Sequence, residues 1–290
     1  MIEQFVLPGD AVFPEGVTED TDDAGFFVSS SRQGTIFRGR LDTGALAQWQ
    51  PAGADGRTQA LGMAVDERGR LIVCGFRTGL IFGYDIDSGD LVARHRVDGD
   101  PALLNDVCVL NGYAYVTDSE RPVLWRLELG ERIGPPEEWL DLTAHGAEPE
   151  VRHYLNGIVP TRDGTGLLVV GQGSEELWRV DVAARSARRV DLGGEHLAGD
   201  GMVWVDDVLY VCDNSQDPDG AVRFWLTAVR LSEGDTVGEV LGRWERPADD
   251  TPTTLAYRDG RLLVVNAQFD AERRGVAKPP FTVSVVTPPL

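Results

Sequence analysis

Short apolar runs recur along the chain at nearly even spacing. Each is rich in valine, leucine or aromatic residues and ends in small or polar side chains, and they occupy residues 26–30, 71–75, 114–118, 168–172, 209–213 and 263–267. Most are followed by a segment in which apolar and polar residues alternate, as in 124–129 and 177–182. Continuous runs indicate strands buried on both faces, and alternation indicates strands with one solvated face.

The apolar runs belong to a repeat unit that opens six times at the same phase. The opening residues, which we call the ring positions, are Glu15, Leu61, Asn105, Asn156, Asp200 and Thr253. Four strands in about 48 residues, without helical periodicity, predict one blade of a β-propeller. We therefore expect an all-β, six-bladed propeller with four strands per blade, formed as one domain by residues 1–290. Because the last unit lacks outer strands, residues 4–7 should pair with residues 282–285 and close the ring.

Charge and composition narrow the possible partners. The chain has 290 residues, 47 acidic and 27 basic, for a formal net charge of −20. This balance excludes the electrostatics needed to bind nucleic acid or an anionic membrane, so a small-molecule substrate is the expected partner. The N-terminus lacks signal-peptide features, and Cys74, Cys108 and Cys212 form no CxxC pair. We therefore expect buried thiols and a cytoplasmic protein. The sequence leaves the oligomeric state open.

The ring positions carry the candidate chemistry. Equivalent positions of a propeller surround one channel, and four of the six are carboxylates or amides: Glu15, Asn105, Asn156 and Asp200. Burying two carboxylates without a counterion costs several kcal/mol. A divalent cation with oxygen ligands would remove this cost, and this donor set suits calcium best. The alternative is that Asn156-Gly157 and Asp200-Gly201 are ordinary turn dipeptides. That alternative leaves Glu15 unexplained.

Four motifs in order resemble those of the senescence-marker-protein/gluconolactonase (regucalcin-like) family. They are Phe13-Pro14-Glu15-Gly16, Leu104-Asn105-Asp106, Leu155-Asn156-Gly157 and Gly199-Asp200-Gly201-Met202. The resemblance covers essentially the whole chain and implies a six-bladed propeller with one divalent metal ion. It implies Glu15, Asn156 and Asp200 as metal ligands, Asp200 also as catalytic base, and Asn105 beside the metal, in contact with substrate or water. Calcium is the expected ion, with zinc, manganese and magnesium as alternatives.

The chain departs from the sugar-lactone members of that family where substrate is held. Those members carry an arginine two residues before the blade-three asparagine, where this chain has Leu103. We therefore expect a pocket less suited to sugar lactones and better suited to apolar ones.

Other candidate substrate contacts lie at strand ends and in loops. The ends of the second strands should line the pocket through Ser30, Phe76, Asp118, Ser119, Gln172, Asn214 and Asn266, with Arg32 and Arg121 just beyond. His153 and His196 precede ring positions and are candidate general bases. Surface ion pairs for the arginines and solvated loops for the histidines are the alternatives.

The function that these features favour is a metal-dependent hydrolase of a lactone or related ester. No GxSxG nucleophile elbow and no HExxH zinc motif offers another mechanism. One alternative uses the same site for biosynthesis, such as cyclisation, epimerisation or strictosidine-synthase-like bond formation. A second is a non-catalytic binding propeller with a structural cation.

Overall fold

The computed structural model describes residues 2–99, 101–216, 222–232, 234–247 and 250–290. Strand β1 (Gln4–Leu7) comes first in the chain. Blade one follows with β2 (Pro14–Glu19), β3 (Gly25–Ser30), β4 (Ile36–Arg40) and β5 (Leu46–Gln50). Blade two contains β6 (Met63–Val65), β7 (Arg70–Cys74), β8 (Leu80–Asp85) and β9 (Leu91–Arg96).

Blades three to six repeat this arrangement. Blade three contains β10 (Leu104–Leu110), β11 (Tyr113–Asp118), β12 (Val123–Glu128) and β13 (Glu137–Asp141). Blade four contains β14 (Leu155–Pro160), β15 (Gly166–Gly171), β16 (Glu176–Asp181) and β17 (Ser186–Arg189). Blade five contains β18 (Gly199–Val205), β19 (Val208–Gln216), β20 (Val222–Leu231) and β21 (Gly238–Arg246). Blade six contains β22 (Pro252–Arg258), β23 (Arg261–Asn266) and β24 (Phe281–Val286).

Each blade is a four-stranded antiparallel sheet in sequential order, which confirms the all-β six-bladed propeller. Strand β1 is the fourth strand of blade six and pairs with β24, with Gln4 opposite Ser284 and Leu7 opposite Phe281. This is the terminal closure that the sequence predicted, and it leaves the last blade complete. Short helical segments interrupt the described strands at Ala54–Gly56, Leu142–His145 and Phe269–Arg273 (α1).

The hydrophobic core lies in layers between neighbouring blades. One layer joins Ile72 and Ile81 of blade two to Val116 and Trp125 of blade three. The thiols of Cys74, Cys108 and Cys212 are free and buried, as expected. Within the described residues, no helix is both long enough and apolar enough to cross a membrane.

The glycine that follows a ring position allows neighbouring inner strands to approach closely. Around Gly16, Gly157 and Gly201 the pairing of the first two strands shifts register, as it does in a β-bulge. A Cβ on Gly16 would lie 2.4 Å from the carbonyl oxygen of Leu61, and one on Gly157 would lie 2.2 Å from that of Asp200. None of these glycines has a positive φ. They therefore lie within strands, which overturns the turn-dipeptide alternative.

Candidate metal and substrate site

The ring positions converge on one cavity of about 600 Å³, at the end of the channel where the innermost strands begin. Five of the six residues line it: Glu15, Leu61, Asn105, Asn156 and Asp200. The sixth, Thr253, turns its hydroxyl away and donates to the carbonyl oxygen of Glu15 at 2.8 Å. Similar bonds fix the ring backbone elsewhere, since the amide of Gly62 donates to the carbonyl of Asn105 at 2.8 Å.

Asp200 is buried with one carboxylate oxygen held and the other free. Its Oδ2 accepts hydrogen bonds from Gln172 Nε2 at 3.4 Å and from Asn214 Nδ2 at 3.3 Å. Its Oδ1 is buried without a hydrogen-bond partner. Burial, followed by the charge of Asp106, raises the pKa of Asp200 well above its usual range, although hydrogen bonds from Asn156, Gln172 and Asn214 oppose this rise. The carboxylate is oriented but not neutralised.

Glu15 is the second buried carboxylate of the ring. Its Oε2 has no hydrogen-bond partner. Burial raises the pKa of Glu15 well above its usual range, and the charges of Asp200 and Asp106 raise it further. Because these acids repel one another, the pair would be stabilised by an added positive charge.

Asn105 lines the cavity, and its side-chain amide is held by a neighbouring hydroxyl. Its Nδ2 donates to Ser119 Oγ at 2.9 Å, and Ser119 Oγ donates in turn to the carbonyl oxygen of Leu155 at 2.6 Å. The Oδ1 of Asn105 is buried and unpaired, as is the Oδ1 of Asn214. The hydroxyl of Ser119 therefore fixes the orientation of the Asn105 side-chain amide.

The site thus collects oxygen atoms that lack partners: Glu15 Oε2, Asn105 Oδ1, Asp200 Oδ1 and Asn214 Oδ1. The described residues contain no group of three or more His, Cys, Asp or Glu side chains that could hold a metal ion. In this site only two of the oxygen donors are carboxylates, and the other two are side-chain amides. Carboxylate and amide oxygens are the donors that a hard cation such as calcium accepts, so the residues fit the expected ion.

The ends of the second strands form a second tier of the cavity wall. Ser31, Phe76, Gln172 and Asn214 occupy equivalent positions in their blades and line the cavity. Ser30, Asp118 and Asn266 lie one residue earlier and are buried outside the lining. Because successive side chains of a strand point to opposite faces, a one-residue difference removes a side chain from the cavity.

Three predicted substrate contacts near blade three lie outside the cavity lining. The side chain of Leu103 is 1% exposed. Asp118 accepts hydrogen bonds from the amide of Leu103 at 3.0 Å and from Trp125 Nε1 at 3.2 Å, and so organises the local fold. Arg121 follows one position after the residue equivalent to Arg32 and forms an ion pair with Glu138 at 3.0 Å.

The two candidate histidines also lie outside the cavity lining. His153 is buried, and its Nε2 lies 3.0 Å from the carbonyl oxygen of Glu148. His196 is 77% exposed on its side chain and lies 3.8 Å from Glu175. His153 and the next residue, Tyr154, both precede β14, and Tyr154 lines the cavity where His153 does not. Neither histidine is placed to act on a substrate in the cavity.

Arg32 does line the cavity, together with residues that the sequence analysis did not single out. Arg32 forms an ion pair with Glu272 at 2.5 Å. The additional lining residues include Gln59, Arg77, Tyr154, Phe224, Phe269 and Arg273. Burial, followed by the charges of Asp200 and Glu15, raises the pKa of Tyr154 to about 12. Repeat alignment could have identified Arg77, which is equivalent to Arg32, but Phe269 and Arg273 lie in an insertion peculiar to blade six.

Comparisons with known proteins show the fold. No family profile and no curated protein matches the sequence. Virginiamycin B lyase from Staphylococcus aureus, solved with quinupristin, is 12% identical over 99% of this chain and 98% of that one, with a TM-score of 0.68. The major allergen Mala s 1 of Malassezia sympodialis is 16% identical over 98% and 96%, with a TM-score of 0.68. Regucalcin from Agrobacterium tumefaciens, a calcium-binding protein, is 15% identical over 99% and 95%, with a TM-score of 0.64.

Proposed function

We propose that this protein is a divalent-metal-dependent hydrolase of a lactone or related ester, with calcium as its ion. The observation that carries the proposal is the set of unpaired, buried oxygens around two carboxylates of raised pKa. Such a set is costly in an empty channel and stabilising around a cation. The resemblance of the ring motifs to the regucalcin-like family supports the same assignment, as does the likeness to a calcium-binding propeller.

Glu15, Asn156 and Asp200 would hold the ion, and the cavity above them would hold the substrate. When bound, the ion would supply Lewis-acid polarisation of the substrate carbonyl. Asn105 touches the same space and orients substrate or water through an amide oxygen that Ser119 holds in place. Asp200 is the residue that accepts a proton from the attacking water. The water oxygen then bonds to the carbonyl carbon, the ester C–O bond breaks, and the leaving oxygen takes up the proton that Asp200 accepted.

The first experiment measures calcium binding and hydrolysis on the same preparation. Chelated protein is titrated with calcium by calorimetry and then assayed against a panel of aromatic, aliphatic and sugar lactones. We expect one site per chain and hydrolysis that requires the ion. Tight binding without turnover of any lactone or ester would favour the non-catalytic propeller, and absence of calcium, zinc, manganese and magnesium binding would refute the metal site.

Asn105→Ala separates catalysis from metal binding. Asn105 adds no charge to the ring, so the variant should keep the ion while turnover falls by roughly two to three orders of magnitude, the scale of losing one oriented polar group at a reacting carbonyl. His153→Ala and His196→Ala are the controls and should leave turnover within about twofold. A severe loss in a histidine variant with a mild loss at Asn105 would contradict the assignment.

A further inference from the structure

Blade two gives the cavity a sector unlike the others. Its ring position is Leu61, a buried apolar side chain, where blades one, three, four and five carry a carboxylate or an amide. Phe76 follows β7 and lines the same cavity as Leu61, and Arg77 comes next, with its guanidinium carbon 5.0 Å from the centroid of the Phe76 ring. This sector is apolar at its base, aromatic on its wall and cationic at its rim.

Arg77 is the lining arginine whose charge is available to a ligand. Arg32 forms an ion pair with Glu272 at 2.5 Å, and Arg273 forms one with Asp270 at 2.6 Å. No carboxylate in the described part of the chain lies within ion-pairing distance of exposed Arg77.

A second apolar wall faces this sector. In a ring of six, blade five lies opposite blade two, and blade five supplies Phe224 and Val222 to the lining. Phe269 of blade six extends this wall. A flat apolar group placed between the two walls would lose its hydration on both faces, which is the main source of affinity for aromatic ligands.

Several polar side chains of the cavity wall already form hydrogen bonds within the protein. The hydroxyl of Ser31 donates to the carbonyl of Phe13 at 2.8 Å, and the hydroxyl of Thr251 accepts from the amide of Asp270 at 3.0 Å. Gln172 and Asn214 donate to Asp200. A ligand with many hydroxyls would therefore find its free acceptors at the floor of the cavity, around Glu15 and Asp200, and few on these wall side chains.

We infer that the cavity selects ligands with one flat, aromatic body and one anionic group. The body lies between the blade-two and blade-five walls, the anion meets Arg77, and the remaining carbonyl points toward Glu15 and Asp200. As a statement about the substrate this rests on the proposed hydrolase function, whereas as a statement about binding it is independent of turnover. It also assigns the preference for apolar substrates to Leu61 and Phe76 instead of Leu103.

The test uses two matched pairs of compounds on the calcium-loaded protein. For binding, para-methoxybenzoate is compared by calorimetry with its neutral isostere para-methoxybenzamide. For turnover, para-acetoxybenzoate is compared with para-acetoxybenzamide, and gluconolactone serves as the hydroxyl-rich competitor. We expect each anion to be favoured over its amide by about tenfold, since an ionised partner strengthens a hydrogen bond.

Arg77→Gln should abolish the preference for the anion and leave affinity for the neutral compounds within about twofold. The matched control is Arg68→Gln, which removes an exposed arginine of the same blade at the opposite end of the channel. Phe76→Ala should weaken both members of each pair by about tenfold, because it removes an aromatic wall.

The outcomes separate this inference from the proposed function. A preference for the anion that survives Arg77→Gln, gluconolactone binding better than the aromatic pair, or no binding of either aromatic compound would overturn the inference. Arg77-dependent binding without hydrolysis of any ester would support the inference and refute the hydrolase. Calcium-dependent hydrolysis in which Arg77→Gln and Arg68→Gln show the same preference for the anion would support the hydrolase and refute the inference.

Discussion

Buried acidic side chains lie at both ends of the central channel, but only at one end do arginines pair with them. At the end opposite the cavity, Asp20 lies 2.6 Å from an Arg38 guanidinium nitrogen, and Asp66 lies 2.6 Å from one of Arg70. At the cavity end, no described arginine or lysine forms an ion pair with Glu15 or Asp200. The first end has the pattern of a structural ion pair. The second has buried acids without a described counterion, which is the arrangement that the proposed cation site requires.

Hydrogen bonding repeats this contrast. Asp66 Oδ1 accepts from the backbone amides of Arg68 and Arg70, both at 2.9 Å, while its Oδ2 accepts from Arg70 Nε at 2.7 Å. Both carboxylate oxygens of Asp66 therefore have partners, whereas Asp200, which lines the cavity, has one oxygen without a partner. Burial alone therefore does not distinguish structural from functional acids in this fold. What distinguishes Glu15 and Asp200 is an unpaired oxygen together with the lack of a described cationic neighbour, since Asp213 also has an unpaired oxygen but lies 3.5 Å from Arg243 Nε.

The largest expected effect comes from Asp200→Asn. Removing a charged ligand and the proton acceptor together should weaken calcium binding by at least about a hundredfold and lower turnover by roughly three orders of magnitude. The chelated variant should also melt at a higher temperature than chelated wild type, because one of three mutually repelling buried acids is gone. Calorimetry, steady-state kinetics and thermal unfolding check these outcomes. A variant that binds calcium like wild type would remove Asp200 from the ligand set.

The same substitution at the other end should act in the opposite direction on stability. Asp66→Asn leaves buried Arg70 without its counterion, a change that costs about 3 kcal/mol or more in unfolding free energy. We expect a lower melting temperature with or without calcium and an unchanged calcium affinity. Adding Arg70→Met should recover part of the loss, because an apolar side chain needs no partner. If Asp66→Asn instead stabilised the chelated protein, the distinction between the two ends would fail.

The contrast should also appear as a pH dependence of stability. Glu15 and Asp200 have raised pKa values, and burial raises the pKa of Asp106 to about 7. Between the unfolded and folded pKa values the folded chain binds more protons, so the free energy of unfolding falls as pH rises from about 4 through neutrality. Chelated protein should therefore melt several degrees higher at pH 5.5 than at pH 8.

Two controls assign that pH dependence. Calcium should flatten the portion due to Glu15 and Asp200, because the bound ion favours their charged forms. Asp106→Asn should remove a separate portion, because burial raises the pKa of Asp106 to about 7 even though the amide of Val107 donates to its carboxylate at 2.8 Å. Identical pH profiles with and without calcium would show that the ring carboxylates do not carry the effect.

Most of the fold could be predicted from the sequence because each blade repeats the same hydrophobic pattern. The blade count, the strand count and the closure by β1 followed from the phase of six units and the shortness of the last. The convergence of Glu15, Asn105, Asn156 and Asp200 followed from the same phase, since equivalent positions of a ring share one axis. The need for glycine at positions 16 and 157 could not be predicted in this way, because a close approach to a neighbouring blade and a turn leave the same local sequence signal.

The cavity wall was predicted less well than its floor. At the ends of the second strands, the predicted lining positions were one residue too early in some blades. Asp118 is buried outside the lining, whereas Gln172, one position later in its own blade, lines the cavity. The same error favoured Arg121 over Arg77. Phe269 lies in an insertion without a counterpart in other blades, so periodicity could not place it. Hydrogen-bond partners also cannot be predicted from the sequence. Asp200 keeps one oxygen unpaired because Gln172 and Asn214 both donate to its other oxygen.

The smallest expected effect tests whether the free oxygens are held in place. Ser119→Ala removes the acceptor for Asn105 Nδ2 and the donor to the Leu155 carbonyl, so the amide of Asn105 is no longer fixed in one orientation. Turnover should fall by about three- to tenfold through kcat, with KM and calcium affinity nearly unchanged, and stability should fall by about 1 to 2 kcal/mol. Ser119→Thr, which keeps the hydroxyl, should restore most of kcat.

The matched control is Ser30→Ala at the end of β3 in blade one. Its hydroxyl is also buried and donates to the carbonyl oxygen of Val12 at 2.6 Å, but among the described residues it forms no hydrogen bond with a ring side chain. Both alanine variants should therefore lose similar stability, while only Ser119→Ala loses kcat. Equal kcat losses in the two variants would mean that Ser119 acts through general stability, and an unchanged kcat in Ser119→Ala would mean that the Asn105 amide is held by other contacts. A loss confined to Ser119→Ala and reversed by threonine would identify Ser119 as a positioning residue, because a merely structural hydroxyl lowers stability without altering kcat in the folded enzyme.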